Sequence, residues 1–209
     1  LFIKNKQKIF VQTETMKSLV LSKFPHTDIH ISPFISMNIS NFVNKKKNFN
    51  PNKSYFFYPA SGEDNKNHKN LARAWHILAS KGHYFRLVVT LDTYFFDKYY
   101  LSYLSLNPRI KITNLGVVKE KTIKSNLINC EAIIYPSYCE SFGIPLVEAQ
   151  YIKTPIISAE LDFVRDVCIP NETFDPYSPK SISDAVLRYF SIYNTPRTVN
   201  VSSFISKFI

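Results

Sequence analysis

From Tyr55 onward the sequence alternates between short apolar segments and amphipathic segments, and this alternation limits the possible folds more than any other feature. Apolar runs of four to eight residues predict strands, whereas apolar residues spaced three or four apart predict helices. Strands that alternate with helices at this pace predict a parallel sheet with helices on both faces, a Rossmann-like, doubly wound α/β fold. The predicted strands cover residues 55–60, 84–90, 109–116, 132–135 and 155–158, and the predicted helices cover 68–82, 93–106, 120–129, a segment opened by Pro145, 161–167 and 179–190.

The residues before this alternating region follow a looser pattern. Residues 8–13 (KIFVQT) predict a strand, residues 15–24 predict a helix, and residues 28–34 (DIHISPF) predict a second extended segment. Residues 36–54 are rich in Asn, Lys and Ser and lack periodicity, which predicts a linker. The predicted organisation is an N-terminal segment, a linker, a main domain and a tail, at residues 1–35, 36–54, 55–190 and 191–209.

Composition excludes two broad classes of protein. A hydrophobic fraction of 45% with 15% aromatic residues is too high for a disordered chain. No apolar run approaches the roughly 18 residues needed to cross a bilayer, and the charges in LFIKNKQKIF do not fit a secretory signal. The three cysteines (Cys130, Cys139 and Cys168) lack metal-ligand spacing, so we expect a reduced, cytoplasmic protein.

The net charge of +10 is unevenly distributed. Residues 1–54 contain nine lysines against Glu14 and Asp28, so most of the excess lies outside the main domain. A basic surface suits nucleic acid or an anionic membrane. An AT-rich coding sequence, which enriches Lys and Asn, explains the same bias, and we favour that interpretation. We therefore expect no nucleic-acid partner, whereas peripheral contact with the inner face of the membrane stays open.

The segment PSYCESFGIPLVEAQ, at residues 136–150, contains the strongest candidate site. Proline suits the first position of a helix, so Pro145 predicts a helix whose unpaired N–H groups lie near Gly143. Such a helix end attracts phosphate, and Gly143 has no side chain to block a ligand. With Glu140 and Glu148 on either side, the segment predicts a ligand that carries phosphate and hydroxyl groups. Strand, loop and helix with a first-turn acid also occur in α/β proteins that bind nothing there.

Other loops that follow predicted strands add few candidates. Lys69 stands at the start of a predicted helix, where its ammonium group could lie beside a diphosphate, although a surface lysine fits the same spacing. The sequence lacks the G-x-G-x-x-G and P-loop patterns, which argues against dinucleotide and ATP use. Ser137 lacks the context of a serine hydrolase nucleophile, and no D-x-D carboxylate pair is present.

The run ESFGIPLVE, preceded by YPS and followed by TPIIS, resembles the donor-site signature of family-four retaining glycosyltransferases with the GT-B fold. Members of that family show the pattern PS-x-x-E-x-F-G-x-P-x-x-E-A at this place. The resemblance spans residues 55–190 and includes two departures. Lys153 replaces the usual glycine, and YPASGED lacks the Gly-Arg pair that supplies a second diphosphate ligand. The resemblance implies that the main domain is one half of a GT-B fold and that residues 1–35 are a remnant of the other half.

The resemblance also implies a role for each site residue. Glu140, which would hold sugar hydroxyls, and Lys69, which would contact the diphosphate, are the expected catalytic residues. Glu148 would accept hydrogen bonds from the ribose, while Gly116 and Val117 would meet the nucleobase. The expected donor-binding residues are Ser141, Phe142, Gly143, Ile144, Glu148, Gly116 and Val117.

These roles imply that a hexosyl group passes, with retention, from a UDP- or GDP-sugar to a glycan or lipid-linked acceptor in polysaccharide biosynthesis. Lysine and helix dipole would neutralise the phosphates, so we expect neither a metal nor another cofactor. Because the chain begins with leucine and most of the acceptor-binding half is missing, we expect a fragment with little turnover. Two alternatives stay open, a catalytically incompetent nucleotide-sugar-binding fragment and a basic nucleic-acid-binding module.

Overall fold

The computed structural model describes residues 8–32 and 54–192 of the 209-residue chain. The predicted linker and tail therefore lie almost entirely outside the described residues. The strands are β1 (Lys8–Val11), β2 (Asp28–Ile31), β3 (Tyr55–Tyr58), β4 (Arg86–Val89), β5 (Lys111–Asn114), β6 (Ala132–Tyr135), β7 (Ile156–Ala159) and β8 (Glu172–Phe174).

The helices fall between these strands, largely where the apolar periodicity predicts them. A 3₁₀ turn precedes α2, and a π-helical segment separates α3 from α4. The helices are α1 (Glu14–Lys23), the 3₁₀ turn (Asp64–Lys66), α2 (His68–Ser80), α3 (Thr93–Phe96), the π segment (Asp97–Leu101), α4 (Ser102–Leu106), α5 (Glu120–Asn129), α6 (Ile144–Tyr151), α7 (Asp162–Arg165) and α8 (Pro179–Tyr189).

The main sheet has six strands in the order β5-β4-β3-β6-β7-β8, and every neighbouring pair is parallel. Helices flank it, so the Rossmann-like α/β fold predicted from the alternation is confirmed. The chain builds outward from β3 through β4 to β5 and then returns to β6 on the other side of β3. Loops that leave β3 and β6 diverge at this reversal, and in such sheets the ligand crevice lies there, beyond the carboxyl ends of the strands.

The central strands are apolar because both of their faces are covered. Every residue of β6 and β7 is buried, which matches the continuous apolar runs typical of parallel sheets. Helix α2 buries Leu71, Ala74 and Trp75 against the sheet and α8, and this is the face that the sequence periodicity predicts. Gly82, with φ of +85°, follows the end of α2 as expected, and the N–H of His83 bonds back to the carbonyl of Leu78.

Two elements differ from the sequence-based expectation. Strand β8 was not predicted because it has three residues, too few to show a period of two. It pairs with β7, and Arg188 of α8 donates to the Glu172 carboxylate at 3.0 Å. The predicted helix over residues 93–106 contains the π segment, whose wider turn buries the consecutive residues Tyr99 and Tyr100.

The N-terminal residues form a small parallel pair, β1 and β2, linked by α1. Thr13 caps α1 by accepting a hydrogen bond from the N–H of Met16 at 3.2 Å. Helix α1 packs against α7, and the N–H of Thr15 donates to the Asp166 carboxylate at 2.9 Å. These contacts join the N-terminal unit to the main domain through α7 and the residue that follows it. Among residues 8–32 and 54–192, no helix has the length and apolar character that crossing a membrane requires.

Gly62 provides a test of how tightly the loop after β3 packs. A Cβ atom added to this buried glycine would overlap the Phe95 ring and lie 2.6 Å from the Cβ of Phe95. We expect Gly62→Ala to lower the free energy of unfolding by about 1–3 kcal/mol, because an overpacked site must shift its neighbours. Urea denaturation measures the difference. In a Phe95→Ala background the same substitution should cost much less, and an equal cost in both backgrounds would contradict this packing.

Buried His68 predicts an unusual pH dependence of stability. Its Nε2–H donates to the carbonyl of Ser61 at 2.9 Å, and its Nδ1 accepts from the hydroxyl of Tyr100 at 2.8 Å. Burial lowers the pKa of His68 from 6.5 to about 4. The unfolded chain therefore binds a proton below pH 6.5 that the folded chain does not, so stability falls as the pH drops from 6.5 towards 4.

Because the pKa of His68 differs between the folded and unfolded chain, the free energy of unfolding should fall by about 2 kcal/mol from pH 7 to pH 5. Urea denaturation of the wild type and of His68→Gln at both pH values isolates the contribution of the imidazole. The variant should lose most of this pH dependence. Identical pH dependence in the two proteins would show that another group is responsible.

Candidate functional site

A cavity of about 380 Å³ opens at the carboxyl ends of β3 and β6, where the strand order reverses. The loop after β3 forms one wall through residues 59–61, and residues 140–145, which lead into α6, form the opposite wall. Lys66 and Tyr135 also line it, together with Gln12 from the N-terminal unit. The cavity therefore lies in the crevice that the topology of the sheet predicts.

The N-terminus of α6 supplies backbone donors to this cavity. Gly143 is the N-cap residue, in the left-handed conformation with φ of +74°, and no side chain caps the helix. In the described part of the chain, the N–H groups of Phe142, Gly143 and Ile144 have no hydrogen-bond acceptor. Pro145 lies at the second helical position, one later than predicted, because α6 begins at Ile144. The predicted anion-attracting helix end is present and faces the cavity.

Glycine is required at position 143 for conformational and steric reasons. The left-handed backbone is strained for residues with a Cβ atom, by about 1–2 kcal/mol. An added Cβ would also lie 3.2 Å from Cδ1 of Leu146 and 3.9 Å from the hydroxyl oxygen of Tyr135. The missing side chain leaves the backbone of α6 open to the cavity.

An ion pair between Lys66 and Glu140 crosses the cavity wall. The Lys66 Nζ atom lies 2.9 Å from Oε1 and 2.8 Å from Oε2 of Glu140. The two side chains are only 19% and 10% exposed, so water screens this pair weakly. Tyr135 adds a hydrogen bond from its hydroxyl to Oε1 of Glu140 at 3.1 Å. Burial raises the pKa of Tyr135 well above its ordinary value, so its hydroxyl keeps the proton that it donates.

The Lys66 backbone is held by contacts to the loop after β6. The hydroxyl of Tyr58 donates to the Lys66 carbonyl at 2.8 Å and lies 2.8 Å from Oγ of Ser137, which can donate to it in turn. Asn67, which adopts a left-handed conformation with φ of 60°, donates through its amide to the carbonyls of Pro136 and Pro176. Lys66 is therefore fixed by the loops beyond β3, β6 and β8.

The structure brings five of the nine predicted site residues to the cavity and leaves four outside its lining. The residues in the lining are Glu140, Ser141, Phe142, Gly143 and Ile144. The residues outside the lining are Lys69, Glu148, Gly116 and Val117.

Lys69 is exposed on the first turn of α2, and the lysine in the cavity is Lys66. The reason is the exact start of the helix. Asn67 turns the chain into α2, whose first turn buries His68 and Asn70 and directs Lys69 outward. The loop that the sequence singled out therefore reaches the cavity, but it does so through Lys66, which the sequence analysis did not consider.

Glu148 lies half-buried on α6 and faces α5. Burial raises the pKa of its carboxyl group, while the nearby Lys124 ammonium acts in the opposite direction. Helix α5 follows the turn that contains Gly116 and Val117, and Val117 is 84% exposed. Glu148 is thus beside the helix to which that turn leads, and it does not line the cavity.

Cationic and metal-binding groups are sparse at this site. Lys66 is the single cationic side chain among the described residues that line the cavity, and the strand-end loop presents Ala60 and Ser61. Nowhere in residues 8–32 and 54–192 do three or more His, Cys, Asp or Glu side chains group as metal ligands would. An anion in this cavity would therefore meet one ammonium group and the backbone donors of α6.

Known structures share this fold. Sucrose-phosphate synthase from Thermosynechococcus elongatus gives a TM-score of 0.71 at 16% identity, over 88% of this chain and 49% of that protein. A TarM variant from S. aureus, in complex with fondaparinux, alpha-GlcNAc-glycerol and UDP, gives a TM-score of 0.67 at 16% identity. This match covers 88% of this chain and 37% of the TarM chain. The lipopolysaccharide outer core galactosyltransferase WaaB gives a TM-score of 0.65 at 17% identity, over 87% of this chain and 52% of that protein.

The chain spans about half the length of these proteins or less. Similarity at such low identity establishes the fold alone. A comparison with curated proteins finds no match. The family model for glycosyl transferases group 1 matches residues 40–200, which include both walls of the cavity. Because this match covers most of the sequence, the chain belongs to the family of glycosyl transferases group 1.

Proposed function

We propose that this chain is the donor-binding half of a retaining glycosyltransferase. It would bind a UDP- or GDP-sugar, and the complete enzyme would transfer the hexosyl group to a glycan or lipid-linked acceptor. One observation carries the proposal. Lys66, Glu140 and the uncapped start of α6 meet in a single cavity at the strand-order reversal of a group 1 glycosyltransferase domain.

The diphosphate is assigned to the start of α6. The free N–H groups of Phe142 and Gly143 and the positive end of the helix dipole favour negative charge there. Lys66 adds an ammonium group that can turn from Glu140 towards a phosphate oxygen. Negative charge grows on the diphosphate as the glycosidic bond breaks, so fixed donors at this point favour the transition state. This arrangement neutralises the phosphates without a metal ion.

The sugar is assigned to Glu140. Its carboxylate accepts hydrogen bonds, so it suits sugar hydroxyl groups as partners once Lys66 turns to the diphosphate. Tyr135 keeps one carboxylate oxygen in place during that exchange, because its hydrogen bond is independent of the lysine. A carboxylate near the sugar ring also reduces the cost of the positive charge that develops as the bond breaks.

The nucleoside is assigned to the opposite side of α6. Glu148, half-buried and next to α5, would accept hydrogen bonds from the ribose hydroxyls. Gly116 and Val117 stand in the turn before α5 and would contact the base. A nucleotide sugar would then lie across the start of α6, with its sugar in the cavity and its base towards α5.

A second candidate function is binding of a nucleotide sugar without turnover. The cavity presents one ammonium group and no arginine among its described lining residues, which lowers the expected affinity for a diphosphate. Release of nucleoside diphosphate from a panel of UDP- and GDP-sugars separates the two functions. We expect binding with little turnover from this chain, and turnover that survives EDTA if transfer occurs.

The two lysines of the loop before α2 offer a matched test of the donor site. Lys66→Ala should weaken UDP or GDP binding about 10- to 100-fold, because a charge-assisted contact to phosphate contributes about 1.5–3 kcal/mol. Lys69→Ala should change the affinity less than twofold, since Lys69 is exposed outside the cavity lining. Isothermal titration calorimetry measures both dissociation constants.

Removing one partner of the Lys66–Glu140 pair can also destabilise the fold, so thermal melting of each variant is the control, and Lys66→Gln is the milder replacement. The reverse ranking of the two lysines would place the diphosphate beside Lys69. Tight, salt-sensitive RNA binding without nucleotide affinity would instead support a nucleic-acid-binding module.

A further inference from the structure

We infer that Gln12, in the N-terminal unit, hydrogen-bonds the hydroxyl groups of the donor sugar. The inference rests on the proposed function and adds a specificity residue to it. Gln12 is the one residue of the described segment 8–32 that lines the cavity shared with Lys66 and Glu140. It thus brings a side chain of the N-terminal unit to the proposed sugar position.

The backbone of Gln12 is held firmly for a residue in a connecting turn. Its neighbours Val11 and Thr13 are 5% and 4% exposed. The carbonyl of Val11 accepts a hydrogen bond from the N–H of Ser32 at 2.7 Å, and Thr13 is the N-cap of α1. A residue between two buried, hydrogen-bonded neighbours has little freedom to move.

The same turn is tied to the main domain. The N–H of Thr15 donates to the carboxylate of Asp166 at 2.9 Å, and α1 packs against α7 across this junction. The position of Gln12 relative to α6 is therefore set by contacts within two residues of the turn. The backbone therefore presents Gln12 to the cavity from a fixed position, so only its side chain must be ordered when a ligand binds.

The amide of Gln12 adds to the cavity a neutral group that can both donate and accept hydrogen bonds. Lys66 donates and suits phosphate, while the carboxylate of Glu140 can only accept. A sugar hydroxyl donates one hydrogen bond and accepts others, and a neutral amide can do both. The half-buried Gln12 side chain has no hydrogen-bond partner in the described part of the chain, so it is available to a ligand. The chemistry of a neutral amide fits a hydroxyl-bearing sugar better than an anionic phosphate.

The test compares each nucleotide sugar with its own nucleotide. Calorimetric titrations of UDP, GDP, UDP-glucose, UDP-galactose, UDP-N-acetylglucosamine and GDP-mannose identify the sugar that adds affinity in the wild-type protein. Gln12→Ala should reduce the affinity for that donor about threefold to tenfold, as expected for one neutral hydrogen bond, and leave the affinity for the nucleotide within twofold. Gln12→Glu should lower the affinity for the nucleotide sugar further. The substitution removes the N–H groups that donate hydrogen bonds and adds a second carboxylate to the cavity that contains Glu140.

Gln150→Ala is the matched control. It removes the same amide from α6 outside the cavity lining, where the Gln150 side chain accepts a hydrogen bond from the N–H of Ile169 at 3.2 Å. Thermal melting verifies that each variant is folded. The affinities of Gln150→Ala for the nucleotide and for the nucleotide sugar should both equal those of the wild type.

Each other outcome has a definite meaning. Wild-type protein that binds no nucleotide overturns the proposed function itself. Wild-type protein that binds nucleotide, but gains nothing from any sugar or is unaffected by Gln12→Ala, overturns the role of Gln12 alone. Equal weakening of nucleotide and nucleotide sugar by Gln12→Ala also overturns that role, because it would indicate a contact to the diphosphate.

Discussion

The site depends on the pairing of β3 with β6, because it joins the two halves of the sheet at the point where strand order reverses. Parallel strands end at the same edge, so this pairing brings the loop that contains Lys66 next to the loop that contains Glu140. Buried polar contacts then join the loops. Tyr58 connects Lys66 to Ser137, and the amide of Asn67 reaches the carbonyl of Pro136. The site is therefore a consequence of the sheet topology.

The Lys66–Glu140 pair gives this cavity its electrostatic character. Two opposite charges 2.8 Å apart and mostly shielded from water stabilise each other, and each is costly without the other. A ligand that separates them must offer anionic oxygens to Lys66 and hydroxyl donors to Glu140. A sugar diphosphate contains both groups, with the nearest hydroxyl only a few bonds from the phosphate. The hydrogen bond from Tyr135 holds Glu140 independently of Lys66, and under the proposed function it would limit the reorganisation that binding requires.

Sequence patterns predicted the elements whose signal is local. The apolar face of α2, with Leu71 and Trp75, follows from helical spacing, and it is buried as expected. The helix end at Gly143 follows from the glycine and proline before an apolar run, although α6 begins one residue earlier than predicted. Strand β8 escaped prediction because three residues carry too little periodicity. Sequence patterns did not indicate that Lys66, and not Lys69, lines the cavity, because this depends on a helix start that a left-handed Asn67 determines.

By itself, then, the sequence determined the α/β class, the family resemblance and the helix end that faces the cavity, since each depends on residues close together in the chain. Only the tertiary structure decided which side chains share the cavity. Lys66 and Glu140 are 74 positions apart, and Gln12 comes from a separate unit seated through Thr15 and Asp166. Such contacts depend on strand order and packing, and short-range periodicity carries no record of either.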